Sequence, residues 1–375
     1  MKSKIGIYLH VPFCKKKCNY CAFNSWDNKN DLISSYFDAL QIEIFDCVDS
    51  LKNYTVDTVY FGGGTPTCVN CKFFDKVLYS IENNFDVLKK LEIAIECNPG
   101  AFDRKCLKDI SFRRFNRLSI GLQSTDNDVL KFLGRIHTFE EFIECYNLAR
   151  SIGFKNISVD LIYGLPNQNL ESWKRCLSDI IKFKLEHISC YCLEIEKGTP
   201  FFSSELNIPD DYEVSKMYDF SVKFLRYFGY ERYEISNFCK KGYESKHNLK
   251  YWQCEDFVGF GASAHSNIGN VRYSNEKNIE KYIKLIKSGF SAITSRKNLD
   301  VKEKMSEFMF LGLRMQKGIK INEFKKKFNI NIYDVFGEKI EKFLNCGLIL
   351  RDNNNIFLSD RAFFISNKIF SEFLL

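Results

Sequence analysis

A short apolar or β-branched run gives way to a helical stretch six times in the first 230 residues, and this repeat limits the fold more than any other feature. The runs are Ile5 to Val11, Thr58 to Phe61, Glu92 to Cys97, Arg117 to Ile120, Asn156 to Leu161 and His187 to Leu193. Helical periodicity follows over Asp31 to Ser50, where Leu32, Tyr36, Leu40, Ile44 and Val48 recur on one stripe. Further helices are expected over Arg104 to Phe112, Asp126 to Phe132, Phe139 to Ser151, Leu170 to Lys182 and Asp210 to Phe228. Regular βα alternation predicts a parallel sheet with helices outside, so the fold class is α/β. A chain of 375 residues holds one such domain plus a small one.

Polar residues recur where the runs end. Glu96, Gln123 and Asp160 sit at the C-terminal ends of three predicted strands, where βα barrels do their chemistry. A lone carboxylate there is often only a helix N-cap. Here it comes with Gly62-Gly63-Gly64-Thr65-Pro66-Thr67, a strand running into bare backbone that a ligand can approach closely. The glycine run has neither dinucleotide-binding spacing nor a Walker lysine. Just after the first run, Cys14, Cys18 and Cys21 stand at C-x3-C-x2-C spacing. Thiolates so grouped suit an iron–sulfur cluster, zinc or copper(I), and the alternative is a set of buried thiols. Three cysteines rather than four leave one iron of a four-iron cluster open to a ligand, provided no distant residue supplies the fourth.

The composition narrows the class. Fifteen cysteines point to thiols and metal binding rather than a disulfide framework. No run approaches the roughly 18 apolar residues of a membrane span. Met1 to Lys4 leads directly into the first strand, so a cytosolic protein is expected. The net charge of +7 is scattered over lysines, which reads as a solvated surface and not as a nucleic-acid site. A pI near 8.6 is compatible with peripheral contact with acidic membranes or partners.

Past the alternation lie His247-Asn248-Leu249-Lys250-Tyr251-Trp252 and a Gly/Ala/Ser run around His265. The pattern changes again near Asp300. Helices over Lys302 to Met315, Asn322 to Phe328 and Tyr333 to Asn345 precede two short strands, Leu348 to Arg351 and Ile356 to Leu358, and a last helix from about Asp360. This resembles a winged-helix-like α+β module, more suited to closing a barrel than to binding DNA. Domains are expected at 1–290, the barrel core and its extension, and at 291–375. Cys68 and Cys71 form a lone C-x2-C pair, a weak thiol signal.

Taken together, these motifs resemble the radical S-adenosylmethionine (SAM) proteins related to oxygen-independent coproporphyrinogen III dehydrogenase. The likeness rests on Y-L-H-V-P-F-C, C-x3-C-x2-C, GGGTP, E-x-N-P, S-I-G-x-Q-S, L-G-R-x-H and V-D-L-I-Y-G-L-P, and covers nearly the whole chain. Within that group the chain is most similar to the HemW-type haem chaperones. It carries their H-N-x-x-Y-W at His247 to Trp252. It has Phe23 where the dehydrogenases carry a further cysteine, and it lacks their N-terminal extension.

The resemblance implies a partial (βα)6 TIM-like barrel and a [4Fe–4S] cluster on Cys14, Cys18 and Cys21. It implies a SAM site lined by Tyr8, Tyr20, Gly63, Gly64, Thr65, Glu96, Gln123, Arg135 and Asp160. It also implies haem as cargo for recipient proteins, with His247 as candidate ligand and His10 and His265 behind it. Tyr251 and Trp252 would then offer flat surface to a porphyrin, or His247 would only brace the barrel mouth. An electron donor is implied where SAM is cleaved, and the resemblance assigns no catalytic residue. The alternative activity is decarboxylation of coproporphyrinogen III.

Overall fold

The computed structural model describes residues 2–101 and 114–375. Strand β1, Ser3–Val11, opens the chain, and its Ile5, Ile7, Leu9 and Val11 are fully buried. They alternate with Tyr8 and His10 because successive side chains of a strand point to opposite faces. Each buried aliphatic contributes roughly 1.5–3 kcal/mol. Helix Ile33–Asp46 covers that face through Tyr36, Phe37, Leu40 and Ile44. It is shorter than the Asp31 to Ser50 expected, because the chain breaks at Cys47 into a separate turn, Val48–Leu51.

Strands β2 (Tyr54–Gly63), β3 (Asp86–Cys97), β4 (Arg117–Gln123), β5 (Ile157–Tyr163) and β6 (His187–Cys192) follow. All pair in parallel with their predecessors. The expected runs at β2 and β3 catch only their apolar ends; the strands begin earlier, in stretches that pair Thr55 with Asp86. The helix expected over Arg104 to Phe112 lies outside the described residues. Helix Phe139–Ser151 opens with a capping box between Thr138 and Glu141, and Leu170–Ile181 opens at Asn169.

The alternation ends at β6, well before Asp300. The sheet then grows at both edges. Strands β7 (Glu231–Arg232) and β8 (Asn237–Cys239) join β6 in antiparallel fashion. On the other side β9 (Phe257–Phe260) runs parallel to β1, and β10 (His265–Ile268), β11 (Val271–Asn275) and β12 (Ile293–Asn298) extend it. The order is β12-β11-β10-β9-β1-β2-β3-β4-β5-β6-β8-β7. Periodicity does not reveal these two- to six-residue additions, since short runs of this kind read as loop. Strand β12 lies past residue 290 and still belongs to this sheet.

The C-terminal part holds helices Val301–Gly312, Ile321–Phe328 and Ile332–Asn345, then a three-stranded sheet. To the two strands expected, now β14 (Ile349–Arg351) and β15 (Asn355–Leu358), it adds β13 (Ile319–Lys320). The part docks on the barrel through Arg232, only 6 % exposed, which donates to Gln316 Oε1 at 2.9 Å and Asp360 Oδ1 at 2.7 Å. No helix among the described residues is long and apolar enough to cross a membrane.

Candidate cofactor site at the barrel mouth

The cysteine loop is tied at its neck. Where β1 ends, the Cys14 N–H donates to Trp26 O at 2.9 Å, and the Trp26 N–H donates to Pro12 O at 2.8 Å. The far side is pinned by Asn19, whose backbone and side-chain amides donate to Leu133 O (3.0 Å) and Phe132 O (2.8 Å). Between these anchors all three cysteines border one cavity of about 340 Å³. Among the described residues no three His, Cys, Asp or Glu side chains close around a single ion. The three cysteines thus share one cavity.

Eight of the nine residues expected to hold SAM line the same cavity: Tyr20, Gly63, Gly64, Thr65, Glu96, Gln123, Arg135 and Asp160. Tyr8 does not. It faces a second cavity, and its hydroxyl lies 3.1 Å from His10 Nδ1. The glycine run also differs from expectation. Its N–H groups are already used: Gly63 donates to Glu96 Oε2 (3.1 Å), Gly64 to Val11 O (2.9 Å) and Thr65 to Phe13 O (2.8 Å). Glycine is needed there for space. A Cβ on Gly63, at φ +115°, would lie 2.4 Å from the His10 ring, and one on Gly64 would lie 2.6 Å from Phe13 O.

The electrostatics are set by burial. Glu96 is raised to about 7 by loss of solvation, opposed by the Tyr60 hydroxyl and the Gly63 N–H and reinforced by nearby Asp160. Burial likewise raises Asp160, against hydrogen bonds from Ser189 and Ser119. Burial pushes up the Cys14 and Cys21 thiols, and a Thr65 hydroxyl 3.7 Å from Cys14 Sγ opposes this at Cys14. Arg135 brings positive charge to the cysteine loop: Nη1 donates to Cys18 Sγ at 3.4 Å and Nη2 to Gly121 O.

The floor of the cavity was not anticipated. Inward-facing residues two apart on β4, β5 and β6 are polar: Arg117 and Ser119, Ser158 and Asp160, His187 and Ser189. Alternation of polar with fully buried apolar residues in these three strands is the signal that would have found them. Arg135 Nε, His187 Nδ1 and Asn237 Oδ1, all on lining residues, are buried without hydrogen-bond partners. Unpaired buried polar atoms are costly, so the cavity fits a polar ligand.

His247 lines neither cavity. It is 1 % exposed, and both ring nitrogens are engaged at 2.8 Å, Nδ1 with Thr58 Oγ1 and Nε2 with the Tyr251 hydroxyl. Iron ligation would break one of these bonds; in this structure the ring links Thr58 to Tyr251. Tyr251 borders the second cavity, whereas the Trp252 ring is covered by the Arg314 guanidinium, 4.3 Å from its centroid. Cys68 Sγ donates to Phe13 O at 3.4 Å, and neither Cys68 nor Cys71 lines the cofactor cavity.

A parallel six-stranded barrel segment with a three-cysteine loop and a polar well at its mouth defines a radical SAM protein. The chain matches the radical SAM superfamily over residues 8–180 and the HemN C-terminal domain over 299–365. That superfamily implies a [4Fe–4S] cluster and SAM as cofactors. The heme chaperone HemW of Lactococcus lactis is 33% identical over 372 residues, covering 98% of this chain and 97% of that one. The heme chaperone HemW of Bacillus subtilis is 32% identical and covers 98% of each. The chain belongs to the HemW family of radical SAM proteins. The structure of coproporphyrinogen III oxidase (HemN) from Escherichia coli shares the fold, with a TM-score of 0.87 at 23% identity over 99% of this chain and 90% of that one.

Proposed function

We propose that this protein is a haem chaperone that holds a [4Fe–4S] cluster and SAM at the barrel mouth and passes haem to recipient proteins. The observation that carries this reading is the near end-to-end similarity to chains named heme chaperones. Phe23 supports it: where the dehydrogenases have a further cysteine, this chain has an apolar side chain that is 69% exposed.

In this reading Cys14, Cys18 and Cys21 hold the cluster. All three cysteines border one cavity, and three thiolates leave one iron of a four-iron cluster open to a ligand. The bound cluster and SAM would supply one-electron chemistry, which needs an outside electron donor. The chain's own residues bind and orient. Thr65 would steady the Cys14 sulfur, and Arg135 would offset negative charge at Cys18 while offering its unpaired Nε to a ligand carboxylate. Glu96, held by Tyr60 and Gly63, would accept from ribose hydroxyls. Asp160 and Gln123 would meet the remaining polar atoms, and Tyr20 would close the loop side. The C-terminal module would act as a barrel support, with its boundary after β12 near residue 298, eight residues beyond the division expected. Cytoplasmic location and peripheral membrane contact belong to this reading as proposals.

The test is anaerobic reconstitution with iron and sulfide, then titration with haem and, separately, incubation with coproporphyrinogen III, SAM and a reductant. Haem binding at one equivalent without decarboxylated porphyrinogen is the expected result. Decarboxylation without haem binding would make the protein a dehydrogenase.

A further inference from the structure

A second cavity, of about 520 Å³, lies on the other side of the cysteine loop. Its size falls within the roughly 300–1,000 Å³ of small-molecule sites. Tyr8, Tyr251 and Phe257 give it aromatic wall, with the Tyr251 and Phe257 rings edge to face at 4.7 Å. Lys17 and Lys277 border it, and no carboxylate among the described residues does. A flat, largely apolar molecule carrying negative groups suits such a lining.

The cavity also contains an uncommitted imidazole. Of the chain's five histidines, His247 is spent as described. His137 bonds Asn98 Oδ1 and Leu122 O, and His187 faces the cofactor cavity. His10 borders the second cavity, but its nitrogens meet the Tyr8 hydroxyl at 3.1 Å and Asn24 O at 2.8 Å. His265, the first residue of β10, borders it with a ring that makes no hydrogen bond among the described residues. Partial burial and the positive charges of Lys277 and Arg272 hold it below the usual histidine range, so the ring is neutral near pH 7 and keeps a lone pair for a metal.

We propose that haem docks in this second cavity, with His265 as axial ligand to the iron and Lys17 and Lys277 facing the propionates. The proposal rests on the chaperone reading and adds the place where the cargo sits. Neutral imidazole is a common haem ligand, and ligation here forms one iron–nitrogen bond with no change of oxidation state. The position also joins the two sites. Lys17 and Phe23, on the cysteine loop, line both cavities, so the loop that would hold the cluster is the partition between cluster and haem. His247 then acts as a positioning residue that fixes Tyr251 against the porphyrin face.

The experiment titrates the full chain with ferric haem and reads affinity together with axial ligation by electron paramagnetic resonance and resonance Raman. His265→Ala is expected to weaken binding by about tenfold or more and to lose the histidine signature, and added imidazole restores that signature. Lys277→Glu weakens binding with ligation unchanged. His247→Ala keeps the histidine signature even where affinity falls. Unchanged iron and sulfide incorporation shows that the His265 variant is folded. A wild-type protein that binds no haem removes the chaperone reading and this site together. Wild-type binding that His265→Ala leaves unaltered in affinity and spectrum overturns the site while the chaperone reading stands. Weaker binding with the histidine signature intact overturns the ligand assignment.

Discussion

The Tyr60 hydroxyl donates to Glu96 Oε1 at 2.9 Å, which ties a cavity carboxylate on β3 to the neighbouring strand β2. The Gly63 N–H holds the other oxygen at 3.1 Å. Both bonds favour the ionised carboxylate, yet burial outweighs them and Glu96 ends near 7. A group that sheds its proton near neutrality thus lines the cavity at the barrel mouth.

SAM affinity is expected to rise between pH 6 and pH 8, because hydroxyl donors bind the ionised form of Glu96 best. The same raised value makes the ligand-free protein lose stability between about pH 4.5 and pH 7. The folded state holds the proton more tightly than the unfolded state, so raising pH from the unfolded value of 4.5 through 7 costs stability. Glu96→Gln should flatten both profiles. Isothermal titration and urea unfolding at several pH values would show this; a variant that keeps the wild-type pH slope would refute it. Asp160 is the nearby carboxylate to control for.

Cys14→Ala, Cys18→Ala and Cys21→Ala should each abolish incorporation of iron and sulfide. Cys68→Ala and Cys71→Ala should retain it, because neither residue lines the cofactor cavity. Bound iron, acid-labile sulfide and visible absorption decide between these outcomes. Full incorporation in any of the first three would remove that thiol from the ligand set.

Gly63→Ala should destabilise the protein by about 2 kcal/mol or more, since backbone at φ +115° is strained for any residue with a Cβ. The new methyl also lands 2.4 Å from the His10 ring. Denaturant unfolding gives the number. A cost within ~0.5 kcal/mol, typical of a neutral surface change, would mean that the turn relaxes freely.

His247→Ala should cost about 2–3 kcal/mol, because it leaves the Thr58 hydroxyl buried and unpaired and frees Tyr251. A histidine placed at the surface for ligation would be removable almost without cost, so thermal unfolding of the cofactor-free protein separates bracing from ligation.

Cluster loading should change haem affinity, because Lys17 and Phe23 belong to both walls. Haem titrations with and without reconstituted cluster measure this coupling directly. Identical affinities would show that the loop is rigid between the two states.

Much of the barrel was legible in the chain, and so was most of its mouth. The period-two and period-3.6 patterns located β1 to β6 and most of their helices, because each element must bury one face against the next. Motif spacing singled out three cysteines and eight further residues that border one cavity. Tyr8 borders the second cavity instead, a difference of face that strand assignment alone does not give. Sequence cannot show that Thr58 and Tyr251 engage both nitrogens of His247. The polar floor formed by Arg117, Ser158 and His187 escaped for a related reason: these residues lie far apart in the chain and meet only when β4, β5 and β6 pair.

The sequence by itself determined the α/β repeat, the cysteine loop and the kinship of the chain, since these are local patterns of side-chain type and spacing. Tertiary structure alone decided that His265 borders the second cavity with neither ring nitrogen hydrogen-bonded among the described residues, and that one loop divides two cavities. Both depend on hydrogen bonds and walls contributed by residues as distant as Tyr8 and His265, which come together only through the pairing of β1, β9 and β10.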